Sequence, residues 1–158
     1  MLRPTAGEMM KTNIISVSPK NSVAEVFEAI VLNKLNAVPV KGDDGTFLGL
    51  ITEYDLLENG LVLHIPTFEK MLAELSVPDT HRANFSKLTQ DLKNRKADEI
   101  MNKKPIVFYE NTSFSEMVQI FCTHQAGNPV PVLDKEGKLK GMVARFDILK
   151  LFAEEQPS

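Results

Sequence analysis

Thr52 and Asp55 are two residues whose types and spacing suit the binding of a ligand. They follow Gly49-Leu50-Ile51, which is typical of a strand end, and Thr52 stands where a helix should begin. A hydroxyl at a helix N-terminus lies beside outward-pointing backbone N–H groups, where the helix dipole favours an anion. A carboxylate one turn later can accept hydrogen bonds from two hydroxyls. A phosphate at Thr52 and a ribose at Asp55 would together make a nucleoside phosphate.

The same spacing also suits a plain helix cap. Thr-x-x-Asp ahead of an apolar run is close to a capping box, which many helices carry without any ligand. The stretch recurs, however, as Gly141-Met142-Val143-Ala144-Arg145-Phe146-Asp147, with alanine where the threonine stood. Recurrence favours a duplicated site. Because Ala144 has no hydroxyl, we expect the two sites to be unequal.

The recurrence extends over most of the chain and indicates an internal repeat. Seven landmarks keep one register, and among them are pairs 91 residues apart, Met10 with Met101 and Glu25 with Glu116, and pairs 92 apart, Val38 with Val130 and Asp55 with Asp147. Each copy has the pattern strand, helix, strand, strand, helix. We expect the first strand of the copies at Ile14 to Ser18 and at Ile106 to Tyr109, and a capping box at the start of the next helix at Ser22 to Glu25 and at Ser113 to Glu116. One such unit is too small to bury both faces of its sheet, whereas two can pack sheet to sheet. We therefore predict an α+β fold of two βαββα repeats with pseudo-two-fold symmetry.

The repeat divides the chain into three parts. We predict a first repeat over residues 1–60, a helical insertion over 61–96 and a second repeat over 97–158, with the two repeats forming one module. The apolar residues of the insertion, Phe68, Met71, Leu72 and Leu75, follow helical spacing. This amphipathic segment would cover a face of the module or contact another subunit, and the sequence leaves both open.

Composition excludes several classes of protein. The 158 residues carry a net charge of −3, which argues against nucleic acid as the main partner. No apolar run reaches membrane-spanning length, so we expect no membrane partner. A single cysteine, Cys122, rules out an internal disulfide, and a cytoplasmic protein fits these features.

Sites for catalysis or metal binding are not indicated by the sequence. His64, His81 and His124 lack neighbours at metal-ligand spacing, so we expect no metal site. No nucleophile pairs with a base, and glycine-rich phosphate loops are missing. We therefore predict no catalytic residues and no enzyme activity.

The ordered motifs resemble a tandem cystathionine-β-synthase (CBS) domain pair, or Bateman module. They are Glu8-Met9-Met10, Val17-Ser18-Pro19, Val38-Pro39-Val40 and Gly49 to Asp55, and then Glu99-Ile100-Met101, Val130-Pro131-Val132 and Gly141 to Asp147. The resemblance covers about two thirds of the chain and leaves out the insertion. It implies a flat pair of βαββα units with two related clefts at their interface, which in this family commonly take adenosine nucleotides.

The resemblance also implies residue roles. Asp55 and Asp147 would hold ribose hydroxyls and Thr52 would lie near phosphate. Residues lining the base would come from Asn36-Ala37-Val38-Pro39, from Asn128-Pro129-Val130-Pro131, and from strand residues near Ile15 and Ile106. Arg145 follows Ala144, which lacks the hydroxyl of Thr52. The charge of Arg145 suits a phosphate, although a solvent-facing helix residue is an equal interpretation.

By this resemblance, the chain is a homodimeric regulatory module that binds an adenine nucleotide and signals to a protein target. The nucleotide is left open among AMP, ATP, an S-adenosyl compound and a cyclic dinucleotide, and no cofactor is required. The alternative is a ligand-free interaction scaffold that acts through the insertion helices.

Overall fold

The computed structural model describes residues 3–58, 94–123 and 128–154. Except for residues 94–96, the predicted helical insertion lies outside the described residues and stays a prediction. The other elements occur in the predicted order. In the first repeat they are α1 (Ala6–Met9), α2 (Val23–Leu32), β1 (Ala37–Lys41), β2 (Phe47–Thr52) and α3 (Glu53–Glu58). In the second they are α4 (Ala97–Ile100), β3 (Phe108–Tyr109), α5 (Phe114–Thr123), β4 (Val130–Leu133), β5 (Leu139–Val143) and α6 (Arg145–Glu154).

The two small sheets share one register. β1 pairs with β2 in antiparallel fashion with Val40 opposite Gly49, and β4 pairs with β5 with Val132 opposite Gly141. Each hairpin carries an irregularity directly after that valine. Because these pairs are 92 residues apart, the predicted repeat is confirmed at the level of single backbone pairings.

One predicted strand is reduced to a single contact. The strand expected around Ile14 to Ser18 makes only a parallel bridge between Val17 and Val40, whereas β3 pairs with β4 over two residues. In the second repeat the N–H of Glu110 donates to the carbonyl of Leu133. The equivalent residue in the first repeat is Pro19, which has no N–H, so the ladder ends one step earlier.

The predicted capping boxes are both present. Ser22 caps α2: its N–H donates to Glu25 Oε2 at 2.6 Å, and its hydroxyl accepts from the Glu25 N–H at 3.2 Å. Ser113 and Glu116 make the same pair of contacts at the start of α5. The backbone N–H of Ser22 is the main cause that holds the pKa of Glu25 below its ordinary value. These local signals were sufficient to place both helix starts.

The short helices at the start of the two repeats, α1 and α4, are called the lead helices here. Each of them packs against the other repeat. The N–H of Ala6 in α1 donates to Thr112, and the N–H of Gly7 donates to Glu110, each at 2.9 Å. Reciprocally, the N–H of Ala97 in α4 donates to Asn21 at 2.9 Å. Buried apolar side chains follow the same exchange, since Ala6 lies in the core of the second repeat and Ala97 in that of the first.

The chain after each lead helix then crosses to the second strand of the hairpin in the other repeat. Lys11 forms an antiparallel bridge with Met142 of β5, and Asn102 forms the equivalent bridge with Leu50 of β2. Leu50 and Met142 are both buried and join Ala37 in a small apolar cluster between the repeats. The two crossings thereby place the segments after Met10 and after Met101 directly beside the motifs that end at Asp147 and Asp55.

The turns of the two hairpins are also joined by hydrogen bonds from one lysine. Lys138 Nζ donates to the Asp44 carbonyl and to Asp44 Oδ2, each at 2.8 Å, and to Thr46 Oγ1 at 3.1 Å. The hydrogen bond from Lys138 is the main cause that holds the pKa of Asp44 well below its ordinary value. The Lys138 contacts join the repeats at a second place along their interface.

The crossings predict that an added methyl group is poorly tolerated at two equivalent glycines. A Cβ at Gly49 would lie 2.7 Å from the backbone oxygen of Asn102, and a Cβ at Gly141 would lie 2.5 Å from Met10 Cγ and 2.7 Å from Met10 Cβ. A change of rotamer moves Cγ but leaves Cβ where the backbone holds it, so the crossing backbone has to shift at both positions. We expect Gly49→Ala and Gly141→Ala each to lower the free energy of unfolding by about 1–3 kcal/mol. Urea unfolding of both variants measures this, and unchanged stability of either variant would contradict it.

Candidate functional site

Two clefts lie between the repeats, and each is built from both. The first has a volume of about 780 Å³ and is lined by Thr52 and Asp55 together with residues 104–106 of the crossing segment from the second repeat. The second has a volume of about 350 Å³ and is lined by Ala144 and Asp147 together with Lys11 and residues 13–15 of the first repeat. Asn36 and Asn128 line both clefts.

In the first cleft, Thr52 and Asp55 form a complete capping box. The Thr52 N–H and hydroxyl donate to Asp55 Oδ2 at 2.7 and 2.8 Å, and the Asp55 N–H donates to Thr52 Oγ1 at 3.3 Å. Thr52 and Asp55 therefore cap α3, as the capping interpretation predicted, and the same side chains also line the cleft. These two uses are compatible because an ionised carboxylate offers about four acceptor positions.

The remaining lining of the first cleft is mixed in chemistry. Pro105, Ile106 and Leu50 supply apolar surface, and the amide side chains of Asn36 and Asn128 supply donors and acceptors. Lys104 and Arg145 bring positive charge, and Glu53 brings a further negative charge beside Asp55. Apolar walls with a few polar groups are the usual construction of a small-molecule pocket.

In the second cleft, Asp147 is held differently. Its Oδ2 accepts the Ala144 N–H at 2.8 Å, so half of a capping box persists without a hydroxyl. Its Oδ1 lies 2.7 Å from Lys11 Nζ. The aspartate side chain is only 12% exposed, while the lysine side chain is 70% exposed. The predicted inequality of the two motifs thus appears in the caps, because Asp55 accepts a hydroxyl that Asp147 lacks.

The structure brings Ile106 to the first cleft and Ile15 and Ala37 to the second. It places Arg145 in the first cleft, beside Thr52 and Asp55, and not beside Asp147 as the sequence suggested. Ala144 and Asp147 share one face of the helix start, and a residue one step along points about 100° away.

Four expected lining residues lie elsewhere. Val38 and Pro39 in β1 and Val130 and Pro131 in β4 are buried, and they do not line either cleft. Both strands are buried along these residues, and the Val38 and Val130 side chains belong to the cores of the first and second repeat. Only the preceding residues of each segment, 36–37 and 128–129, reach the clefts.

Sequence reasoning missed the lysines of the crossing segments, Lys11 and Lys104. The signal was present, because the repeat register aligns Lys11 with Asn102 and Asn13 with Lys104. This alignment did not indicate cleft residues, because each lead segment was assigned to its own repeat. Lys34, which also lines the second cleft, has a φ of 52° at the end of α2 and was likewise not singled out.

Two further searches concern only the described part of the chain. Within residues 3–58, 94–123 and 128–154, His, Cys, Asp and Glu side chains form no group of three or more that could hold a metal ion. Among the helices in the same ranges, none combines the length and the apolar character needed to cross a bilayer.

The family model for the CBS domain matches this chain twice, at residues 6–61 and at residues 97–154. The chain belongs to the CBS domain family. The predicted tandem CBS pair is therefore confirmed, and the two matches coincide with the two repeats that form the clefts.

Solved structures of other CBS proteins share this architecture. A structure of CBSX2, a CBS-pair protein from Arabidopsis thaliana, in complex with AMP is 24% identical and superposes with a TM-score of 0.71 over 96% of this chain and 97% of that one. The CBS pair of protein MJ0100 in complex with 5′-methylthioadenosine and S-adenosyl-L-methionine is 18% identical, with a TM-score of 0.68 over 98% and 99% of the two chains.

Among curated proteins, the chain is similar to the chloroplastic CBS domain-containing protein CBSX1 of Arabidopsis thaliana. The two are 29% identical over 150 residues, which is 92% of this chain and 63% of that protein. The present CBS pair thus spans less than two thirds of the length of that relative.

The two motifs of the CBS pair predict opposite effects of exchanging threonine and alanine. Thr52→Ala removes the hydroxyl from a complete box and should lower the free energy of unfolding by about 1 kcal/mol. Ala144→Thr supplies the missing hydroxyl next to Asp147 and should raise it by up to about 1 kcal/mol. Chemical unfolding without ligand measures both changes, and a loss of stability in Ala144→Thr would show that the second motif cannot hold a full box.

Proposed function

We propose that this CBS pair is a regulatory module that binds an adenine nucleotide in the first cleft. One observation carries the proposal: the carboxylate of Asp55 and the hydroxyl of Thr52 line a cleft of about 780 Å³ that also holds two cationic side chains. A volume of this size suits a nucleotide. Asp55 would accept the ribose hydroxyls, and Thr52, at the start of α3, would lie near the phosphate.

The remaining lining supports the assignment of the parts of the ligand. Ile106 and Pro105 offer an apolar surface for the base, and Asn36 and Asn128 offer amides for its polar edges. Lys104 and Arg145 supply positive charge for a phosphate. An S-adenosyl compound carries a sulfonium cation instead, so these two side chains favour AMP or ATP over that class.

The ligands in the related structures support the same class of compound. CBSX2 was solved with AMP, and MJ0100 with 5′-methylthioadenosine and S-adenosyl-L-methionine. All of them contain an adenosine group, which matches a cleft with a carboxylate for the ribose and an apolar wall for the base.

Regulation is the second part of the proposal. A bound nucleotide controls a protein only where it binds two arrangements of that protein with different affinity. Each cleft here contains side chains from both repeats, so a ligand contacts both at once. Binding would therefore bias the relative position of the repeats, and we propose that a partner protein responds to this position.

Removal of the Asp55 carboxylate tests the binding site. Asp55→Ala should weaken nucleotide binding by about tenfold to a hundredfold, because a hydrogen bond to a charged group is worth roughly 1.5–3 kcal/mol. Glu25→Ala is the matched control: it removes the same carboxylate of a capping box, at a helix that lines neither cleft. Titration calorimetry with AMP and ATP, and with GMP as a control for the base, measures the affinities.

Thermal unfolding gives the first readout for the choice of nucleotide. A ligand at about 100 times its dissociation constant should add about 2.7 kcal/mol of apparent stability. Stabilisation by an adenine nucleotide that Asp55→Ala abolishes and Glu25→Ala retains would support the proposal. Equal stabilisation of both variants would place the site elsewhere.

We also propose that two copies of the chain form a homodimer through α6. Phe146 and Leu149 of this helix are 70% and 62% exposed, and Phe152, whose ring also packs against Phe114, is 40% exposed. The residue equivalent to Phe146 in α3, Tyr54, is 66% exposed. A contiguous apolar face of this kind is typical of an interface.

Charge on this face should separate the dimer. Phe146→Lys with Leu149→Lys should convert the protein to monomer in sedimentation velocity runs, because two lysines would face the partner copy. Leu32→Lys is the control, since this residue of α2 is 78% exposed and does not belong to the α6 face. A dimer that persists in the double variant would exclude this face.

A further inference from the structure

We infer that Lys11 decides how many nucleotides the module binds: its ion pair with Asp147 keeps a ribose out of the second cleft, so that one nucleotide binds per chain, in the first cleft. The inference rests on the proposed function, because it assumes that a carboxylate in this position recognises a ribose. It goes further in naming Lys11 as the residue that determines which cleft binds a ribose, and in predicting one nucleotide per chain.

Both carboxylate oxygens of Asp147 are engaged within the protein. Oδ2 accepts the N–H of Ala144 at 2.8 Å, and Oδ1 lies 2.7 Å from the ammonium group of Lys11. A ribose presents two neighbouring hydroxyls that both donate to one carboxylate. A ribose hydroxyl that approaches Oδ1 in the second cleft therefore competes with an ammonium group that already binds this oxygen.

Burial makes this displacement unfavourable. The Asp147 side chain is only 12% exposed, so its charge is largely removed from water and depends on its protein partners. Two neutral hydroxyls that replace an ammonium group would leave that charge without its counter-ion. The second cleft is also smaller, with a volume of about 350 Å³ against about 780 Å³ for the first, so it has less room for a nucleotide.

The first cleft provides the comparison within the same molecule. Asn102 occupies the position equivalent to Lys11, with the same antiparallel bridge to the second hairpin strand of the other repeat. Its side chain is uncharged, and its Oδ1 accepts the N–H of Lys104 at 3.0 Å. The two crossing segments therefore share a backbone path and differ in the side chain at this position, which is a cation in one and a neutral amide in the other.

Exchange of these two side chains tests the inference. We expect calorimetry with AMP to give one equivalent per chain for the wild type, lost in Asp55→Ala. Lys11→Asn should gain a second equivalent, and Asp147→Ala added to Lys11→Asn should remove it. The dissociation constant of the second cleft should fall by about tenfold to a hundredfold, the range for one hydrogen bond to a charged group.

Two further variants separate the ammonium charge from side-chain size. Lys11→Arg keeps a cation opposite Asp147 and should keep the stoichiometry at one. Asn102→Lys brings a cation to the first cleft and should weaken the binding of adenosine there by a similar factor, because adenosine has no phosphate for that cation to attract. Thermal unfolding without ligand establishes that each variant is folded.

The outcomes distinguish this inference from the proposed function. Two equivalents in the wild type, or one equivalent in Lys11→Asn, would overturn the role of Lys11 and leave nucleotide binding in place. AMP binding by Lys11→Asn that Asp147→Ala abolishes, in a protein whose first cleft binds nothing, would support the role of Lys11 and overturn the first-cleft assignment. Absence of AMP binding in every variant would overturn both.

Discussion

The exchange of the lead segments is the contact on which the other features of this module depend. α1 lies against the second repeat and α4 against the first, and each is followed by a bridge to the second hairpin strand of that repeat, from Lys11 to Met142 and from Asn102 to Leu50. The close approach at Gly49 leaves no room for a Cβ beside the crossing backbone. Without this exchange each aspartate would face only its own repeat. With it, each cleft has one wall from each half of the chain.

Local features of the fold could be predicted from the sequence, and the exchange could not. The boxes at Ser22 and Ser113 depend on contacts three residues apart, so their spacing was sufficient to place two helices. The register of the repeat likewise predicted that Gly49 and Gly141 are equivalent. It could not tell whether Met10 packs on its own repeat or on the other one, because both arrangements bury the same residues at the same offsets. The shortened first strand depended on one missing N–H at Pro19.

The same distinction explains which parts of the candidate site were predicted. Thr52 and Asp55 were recognised because their chemistry lies within a single turn. Lys11 was missed because its partner Asp147 is 136 residues away and comes near only through the exchange. Arg145 was considered for the position beside Ala144 or for solvent, and it lines the first cleft instead, because adjacency along the chain does not give direction at a helix start. Val38 and Val130 were expected at a cleft, although both side chains are buried in the repeat cores.

The cap at Thr52 and the proposed ribose site at Asp55 are better regarded as one device than as competing interpretations. A carboxylate that accepts two hydrogen bonds at 2.7 and 2.8 Å is held in one orientation before any ligand arrives. A ligand that meets a preorganised group does not have to order it, which favours affinity. At Asp147 the backbone frame is the same, yet one oxygen is held by Ala144 and the other by Lys11. A duplicated frame can thus keep its geometry in both copies while, as we infer, a single side chain on the crossing segment determines which copy binds a ribose.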